Sequence, residues 1–131
     1  MRTFIDTNIL VYSVATNDRR FVAAREVLSA GGTISVQVLN EFANVLSRKV
    51  RWDWPRIGEQ IEQFKIIFDD IVPLTFEMHA SALRIAERYK IAFYDALLIA
   101  AAIAGKCDTL LTEDMQHGAV IEGITIRNPF L

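Results

Sequence analysis

The chain has 131 residues, of which 52% are hydrophobic and 23% charged, enough for one globular domain with a core and too short for two. Its formal net charge is -2, so a polyanion would have to be attracted by a local basic patch or a bound cation. The lone Cys107 cannot form an internal disulfide, and Asp6 interrupts the first apolar run, unlike a signal peptide. We therefore expect a single soluble domain, residues 1–131, in the reducing cytoplasm.

The first half of the chain alternates β-favouring and helical segments. Its first strand runs into Asp6-Thr7-Asn8, a cluster of residues that favour helix starts. The pair Gly31-Gly32 ends the second helix. In chain order the predicted elements are a strand at 3–5, a helix at 9–14, a helix through 21–28, a strand at 33–36 and a helix at 37–50.

The second half continues the alternation after a break at Trp52-Asp53-Trp54-Pro55. Pro55 suits the first turn of the next helix, whereas Pro73 would confine the following strand to a sheet edge. The predicted elements are a helix through 57–68, a strand at 71–75, a helix through 78–89, a helix at 95–105 and strands at 109–112 and 124–127. With no repeat or linker, this order predicts an α/β domain whose small parallel sheet of about five strands is flanked by helices.

The helix predicted from Asp95 contains the most apolar stretch of the chain, Ala96 to Ala104. This stretch is much shorter than the roughly 20 residues that span a bilayer. We therefore interpret it as a helix buried in the protein and expect no association with a membrane.

Four acidic residues stand at the edges of apolar segments: Asp6, Glu41, Asp95 and Asp114. Residues so distant in sequence can meet where each follows a parallel strand or begins the next helix, which is where open α/β sheets place their sites. Clustered carboxylates repel one another unless a cation lies between them, and hard oxygen ligands suit Mg²⁺ or Mn²⁺. The pattern therefore predicts a metal-dependent enzyme.

Two of these acids can also be explained as helix caps. Asp6 could cap the helix that follows it, although Asn8 would serve equally well. Asp95 stands at the head of an apolar helix, whose start should be buried near the sheet. A buried carboxylate needs a strong partner such as a cation, so a functional role is favoured.

The other two acids have simple alternatives of their own. Glu41 lies on the flank of an apolar helical stripe, where a glutamate is commonly a solvated surface residue. Asp114 follows a strand in a position typical of turns, and Glu113 competes with it for any role. The joint placement of all four acids is therefore more informative than any one of them.

Basic residues form two groups. The denser group consists of Arg48, Lys49, Arg51 and Arg56, and the second group consists of Arg19, Arg20 and Arg25. Either group could follow a phosphate backbone or could simply keep the surface soluble. Trp52 and Trp54, beside the first group, could stack on bases or anchor a turn.

Four segments in order, FIDTNILVY, VLNEF, YDALLIAAA and TLLTED, resemble the PIN-domain nucleases, specifically the VapC-type toxins of prokaryotic toxin-antitoxin pairs. The resemblance extends over the whole chain. It implies a three-layer α/β sandwich, an acidic quartet formed by Asp6, Glu41, Asp95 and Asp114, and supporting polar positions at Asn8 and Thr112. It further implies an endoribonuclease that uses Mg²⁺ or Mn²⁺, forms a homodimer and is inhibited by a small antitoxin protein.

The chemistry can be argued beside this resemblance. No side chain is placed as a covalent nucleophile, so water should attack the phosphodiester with the help of a carboxylate-bound metal. We expect Asp6 and Asp95 to be the principal ligands and Asp114 to bind the same or a second ion. Glu41 would hold or deprotonate the water. By analogy with the family, the products should carry a 5′-phosphate and a 3′-hydroxyl.

Other functions fit the sequence less well. A haloacid-dehalogenase-like phosphatase needs a second aspartate two residues after the first, where this chain has Asn8. A response-regulator receiver needs an aspartate at the end of a middle strand, but the strand predicted at 71–75 ends without one. A PIN nuclease outside a toxin pair, or a PIN scaffold that only binds RNA or protein, remains an alternative.

Overall fold

The computed structural model describes residues 2–131 and contains a six-stranded sheet with helices packed against it. The strands are β1 (Thr3–Ile5), β2 (Thr33–Ser35), β3 (Asp70–Val72), β4 (Thr109–Leu111), β5 (Val120–Ile121) and β6 (Ile124–Arg127), in the spatial order β3-β2-β1-β4-β6-β5. Five of them pair in parallel, which confirms the predicted sheet. The short β5 pairs antiparallel with β6 and was missed, because two residues carry no alternating pattern.

Six α-helices connect these strands. They are α1 (Thr7–Ala15), α2 (Arg20–Ser29), α3 (Val36–Val45), α4 (Trp54–Ile67), α5 (Phe76–Tyr89) and α6 (Phe93–Ala104), and a π-helical turn over Leu46–Val50 extends α3. Pro55 lies in the first turn of α4, as predicted, and Asp53 caps that helix by accepting from the Arg56 amide. No helix among residues 2–131 is long and apolar enough to cross a membrane.

Three of the predicted elements differ from the structure by more than a shift at their ends or in a way that affects the acidic residues. The strand expected at 71–75 ends at Val72, because Pro73 cannot donate to a sheet ladder, although β3 is indeed an edge strand. The helix expected at 37–50 changes from α to π geometry after Val45. The apolar helix begins at Phe93 and not at Asp95, so Asp95 lies in its first turn and does not cap it.

The inward faces of α2 and α4 are covered within the chain. Ala24 and Leu28 of α2, and Ile57 and Phe64 of α4, are all buried. Exposed apolar side chains occur on several helices: Val22 on α2, Trp54 and Ile66 on α4, Phe76 and Leu83 on α5, and Tyr94 at the start of α6.

Candidate active site

Asp6 lies at the carboxyl end of β1, beside the end of β4. Because Ile5 pairs with Leu111, the next residues of the two strands, Asp6 and Thr112, are adjacent. The Thr112 hydroxyl donates to Asp6 Oδ2 over 2.8 Å, and the Thr7 amide donates to Oδ1 over 2.6 Å. Asp6 is therefore both the cap of α1 and a buried carboxylate at the strand ends, where the acidic cluster was predicted.

Glu41 and Asp114 lie on either side of this centre. Glu41 projects from α3, and the Thr7 hydroxyl donates to its Oε1 over 3.3 Å. Asp114 follows β4, and the Asn8 side-chain amide donates to its Oδ2 over 2.9 Å. The Asp114 amide itself donates to the Thr112 hydroxyl over 3.1 Å. Asn8 does not cap α1; it holds the loop that carries Asp114.

Asp95 approaches from the first turn of α6. It is half-buried, not fully buried as expected, and burial is the cause of its raised pKa. Its charge nevertheless reaches Asp114, whose pKa it helps to raise. The four predicted acids are therefore brought to one edge of the sheet, where Asp6 also feels the charges of Asp114 and Glu41.

The pKa of every acid in this group is raised. Burial raises the pKa of Asp6 to about 6, against the hydrogen bonds from Thr112 and Thr7, and the charges of Asp114 and Glu41 add to the effect. Burial also raises the pKa values of Glu41 and Asp95. For Asp114 the causes of the raised pKa are burial first, then the charges of Glu113 and Asp95. Burial, and for Asp6 and Asp114 also neighbouring negative charge, thus disfavours the ionised form of these carboxyls.

The donor set fits Mg²⁺ or Mn²⁺. All four side chains offer carboxylate oxygens, which are the ligands these ions prefer. Within residues 2–131, no three acidic, histidine or cysteine side chains converge closely enough to form a ready-made cage. Mg²⁺ does not need such a cage, because it commonly keeps several waters and takes only one or two carboxylates from the protein. A bound cation would favour the charged carboxylates and so oppose the burial and charge repulsion that raise these pKa values.

Comparison with known proteins adds to this geometry. The model of the PIN domain family matches residues 3–121. The chain belongs to the PIN domain family. A search of the curated proteins finds no match.

Solved structures share the whole fold at low sequence identity. A toxin-antitoxin complex from Klebsiella pneumoniae is 19% identical with a TM-score of 0.72, and the match covers 97% of each chain. VapBC2 from Rickettsia felis, bound to a DNA fragment from its promoter, is 21% identical with a TM-score of 0.68 and 98% of each chain covered. VapC20 from Mycobacterium tuberculosis, a sarcin-ricin loop cleaving toxin, is 16% identical with a TM-score of 0.66, over 82% of this chain and 86% of that chain.

Glu113 and Asp114 have different partners in this PIN domain. Glu113 turns away from the acidic group, and its carboxylate accepts from the Tyr12 hydroxyl and pairs with Arg20 at 3.6 Å. Asp114 accepts a hydrogen bond from Asn8, and the charge of Asp95 helps to raise its pKa. Asp114 is therefore the member of the pair that lies with the other three acids.

The two basic groups differ in how their charges are used. In the second group, Arg20 binds Asp18 at 2.8 Å, and Arg19 donates to the Phe130 carbonyl over 2.9 Å. In the first group, Arg48, Lys49, Arg51 and Arg56 are all exposed, and Arg56 stacks over the Trp52 ring at 3.7 Å. The first group therefore remains the better candidate for contacts with RNA.

Two residues that contact the acidic group or the loop carrying Asp114 were not identified from the sequence. Thr7 is buried and links Asp6 with Glu41, but its sequence context indicated only a helix start. Tyr12 binds the residue beside Asp114 from the second turn of α1. Its position four residues after Asn8 was the available signal, since residues i and i+4 share one helix face.

Proposed function

We propose that this PIN domain is a metal-dependent endoribonuclease that hydrolyses RNA phosphodiester bonds and is the toxin of a type II toxin-antitoxin pair. The observation that carries the proposal is the meeting of Asp6, Glu41, Asp95 and Asp114 at the carboxyl edge of the sheet, where their pKa values are raised. Such a group is suited to holding Mg²⁺ or Mn²⁺ against a phosphate. The family membership and the sequence resemblance supply the nuclease and RNA parts of the proposal.

In this proposal Asp6 and Asp95 are the main metal ligands, and Asp114 binds the same or a second ion. A bound divalent ion lowers the pKa of a coordinated water and neutralises charge that develops on the phosphate. Thr112 and Asn8 orient Asp6 and Asp114 through hydrogen bonds of 2.8 and 2.9 Å. No covalent nucleophile is required.

Glu41 is the proposed acceptor of the water's proton. Burial raises its pKa, which brings the group closer to the range in which a carboxylate accepts a proton near neutral pH. The Thr7 hydroxyl binds only Oε1 of its carboxylate, so Oε2 is left for a water. Thr7 also donates its amide to Asp6, and this couples the position of the base to that of the metal ligand.

The proposed partners are RNA, a small antitoxin protein and a second copy of the chain, acting in the cytoplasm. Structural neighbours from Klebsiella pneumoniae, Rickettsia felis and Salmonella typhimurium were determined as toxin-antitoxin or VapBC assemblies, which supports the antitoxin. VapC20 is a toxin that cleaves the sarcin-ricin loop, which supports cleavage as the activity. The alternative is a PIN nuclease outside a toxin pair, which would use the same four acids without an antitoxin.

The proposed activity is tested by incubating the purified chain with a labelled RNA in chelator, in Mg²⁺ and in Mn²⁺. We expect cleavage only with a metal, and products with a 5′-phosphate and a 3′-hydroxyl. Binding without cleavage under all three conditions would instead indicate a silent scaffold. Cleavage that persists in chelator would contradict the assigned chemistry.

The exposed basic group gives a separate prediction about RNA binding. Arg48 and Lys49 are the residues to replace, because Arg51 has a left-handed backbone with φ of 68° and Arg56 stacks on Trp52. Changing both to alanine should weaken binding and lower the slope of log affinity against log salt by about 1.4, if each contacts one phosphate of a single strand. Binding is measured in chelator, so that the RNA stays intact.

The matched control removes two positive charges elsewhere, at Lys65 and Arg88. Both are exposed and lie outside the basic group, on α4 and α5. This control should keep the wild-type salt slope. Equal slopes in all three proteins would mean that Arg48 and Lys49 serve solubility only.

A further inference from the structure

One group of side chains beside the acidic site has no part in the chemistry proposed above. Tyr12 of α1, Arg20 of α2 and Glu113 after β4 bind one another. The Tyr12 hydroxyl donates to Glu113 Oε1, while Arg20 Nη1 donates to the same hydroxyl over 2.9 Å. The guanidinium of Arg20 also lies 4.2 Å from the centre of the Tyr12 ring. The consecutive helices α1 and α2 are thereby joined, next to Asp114, to a loop about a hundred residues further along the chain.

Helix α1 holds the loop after β4 at two successive residues. Asn8 and Tyr12 are four residues apart, so they project from one face of the helix, one turn from each other. Asn8 binds the side chain of Asp114, and Tyr12 binds that of Glu113. Because the loop follows the strand without helix or sheet of its own at these positions, such bonds decide where its side chains lie.

Asp114 depends on these bonds more than Asp6 does. Asp6 is 6% exposed and is fixed by the core and by Thr112, whereas Asp114 is an exposed residue. Glu113 carries a negative charge directly beside Asp114, and Arg20 offsets that charge. Without Tyr12 and Arg20, the Glu113 carboxylate would be free to turn toward the acidic group, and the loop would lose one of its two attachments to α1.

We propose that Tyr12, Arg20 and Glu113 form a positioning cluster that fixes the location of Asp114 relative to Asp6 and Asp95. This inference rests on the proposed function in one respect: the expected consequence of the cluster is tighter binding of a divalent ion. Its members touch neither metal nor RNA in this proposal and act through Asp114. Residues that orient metal ligands in this way typically contribute 10- to 100-fold to metal affinity or activity.

The test compares wild type with Tyr12→Phe, Glu113→Gln and the double variant. Phenylalanine keeps the ring that packs edge-on against Phe130 at 5.5 Å and removes only the hydroxyl, so the fold should persist. Tyr89→Phe is the matched control, since it removes a hydroxyl from a half-buried tyrosine on α5. Two quantities are measured: hydrogen exchange of the Asp114 amide without metal, and Mn²⁺ affinity by calorimetry.

We expect faster exchange of the Asp114 amide and about tenfold weaker Mn²⁺ binding in Tyr12→Phe and in Glu113→Gln. The double variant should be no worse than either single one, because residues that act through one contact are not additive. Tyr89→Phe should match wild type in both measurements. Unchanged exchange in Tyr12→Phe would overturn the positioning cluster, and so would faster exchange with unaltered Mn²⁺ affinity. A wild type that binds no Mn²⁺ would instead refute the proposed function. Hydrogen exchange of the Asp114 amide alone would then show whether the cluster positions Asp114.

Discussion

Replacing Asp95 with asparagine is expected to abolish RNA cleavage while leaving the fold intact. Asparagine has nearly the same shape and can occupy the first turn of α6, but it removes the charge that would hold the metal. Since even the partners that orient metal ligands are worth 10- to 100-fold, the loss of a ligand should reduce cleavage at least about a hundredfold. The measurement is the initial rate of RNA cleavage at saturating Mn²⁺.

A control aspartate is available at the opposite end of β4 from the acidic group. Asp108 is exposed and immediately precedes β4, and its carboxylate accepts from the Thr109 hydroxyl over 3.0 Å. Asp108→Asn removes the same charge and should cleave RNA like wild type. Near wild-type cleavage by Asp95→Asn, shown to be free of contaminating nuclease, would remove Asp95 from the site. Equal losses in both variants would indicate a general effect of net charge.

The proximity of Asp6 and Asp114 could be predicted because it depends on strand ends. Asp6 follows β1 and Asp114 follows the neighbouring β4, and in a parallel sheet the carboxyl ends of the strands lie at one edge. Alternation of strands and helices was enough to place these residues together. The same reasoning gave all five parallel strands, because each contains β-favouring residues bounded by a turn or a helix start.

The start of α6 could not be predicted in this way. Aspartate is a frequent N-cap, so Asp95 appeared to begin the helix. The helix in fact begins two residues earlier, after Ala92, which provides no side-chain cap. The π-helical turn after α3 was equally hidden, because Leu46 and Val50 continue an apolar series that also suits an α-helix.

The roles of Glu113 and Asp114 depend on residues far away in the chain. The two acids are adjacent and have similar local surroundings, so sequence alone left both as candidates. Tyr12, which is 101 residues from Glu113, takes that carboxylate away from the acidic group. Such a distinction arises only after β1 and β4 have paired and brought α1 beside the loop.

A final expected result concerns the stability of the metal-free protein and its dependence on pH. Burial raises the pKa of Asp6 from 3.8 to about 6 on folding, so the native state binds more protons than the unfolded state between these values. The contribution of Asp6 to the free energy of unfolding should therefore be highest below about pH 4, fall as the pH rises through about 6, and level off above it. From this one carboxyl, the loss at neutral pH is roughly 3 kcal/mol. The raised pKa values of Glu41, Asp95 and Asp114 act in the same direction.

The variant Asp6→Asn should remove this penalty. Asparagine can still accept from the Thr7 amide, and its own amide can donate to the Thr112 hydroxyl, so both contacts of Asp6 persist in altered form. In chelator at pH 7.5 the variant should melt at or above the wild-type temperature. The increase in melting temperature should be at most about 10 °C, which corresponds to removal of the full penalty. At pH 4.5 the advantage should shrink, because Asp6 is then largely protonated in the folded wild type.

Asp53→Asn is the control, since Asp53 also caps a helix but is exposed. It should show neither the gain at pH 7.5 nor its pH dependence. Millimolar Mn²⁺ should raise the melting temperature of wild type and of Asp53→Asn, because an ion that binds only the folded site stabilises it by mass action. The same concentration of Mn²⁺ should raise the melting temperature of Asp6→Asn much less. Equal Mn²⁺ shifts in wild type and Asp6→Asn, or no shift in wild type, would show that these carboxylates do not share a metal, and the proposed chemistry would fail with them.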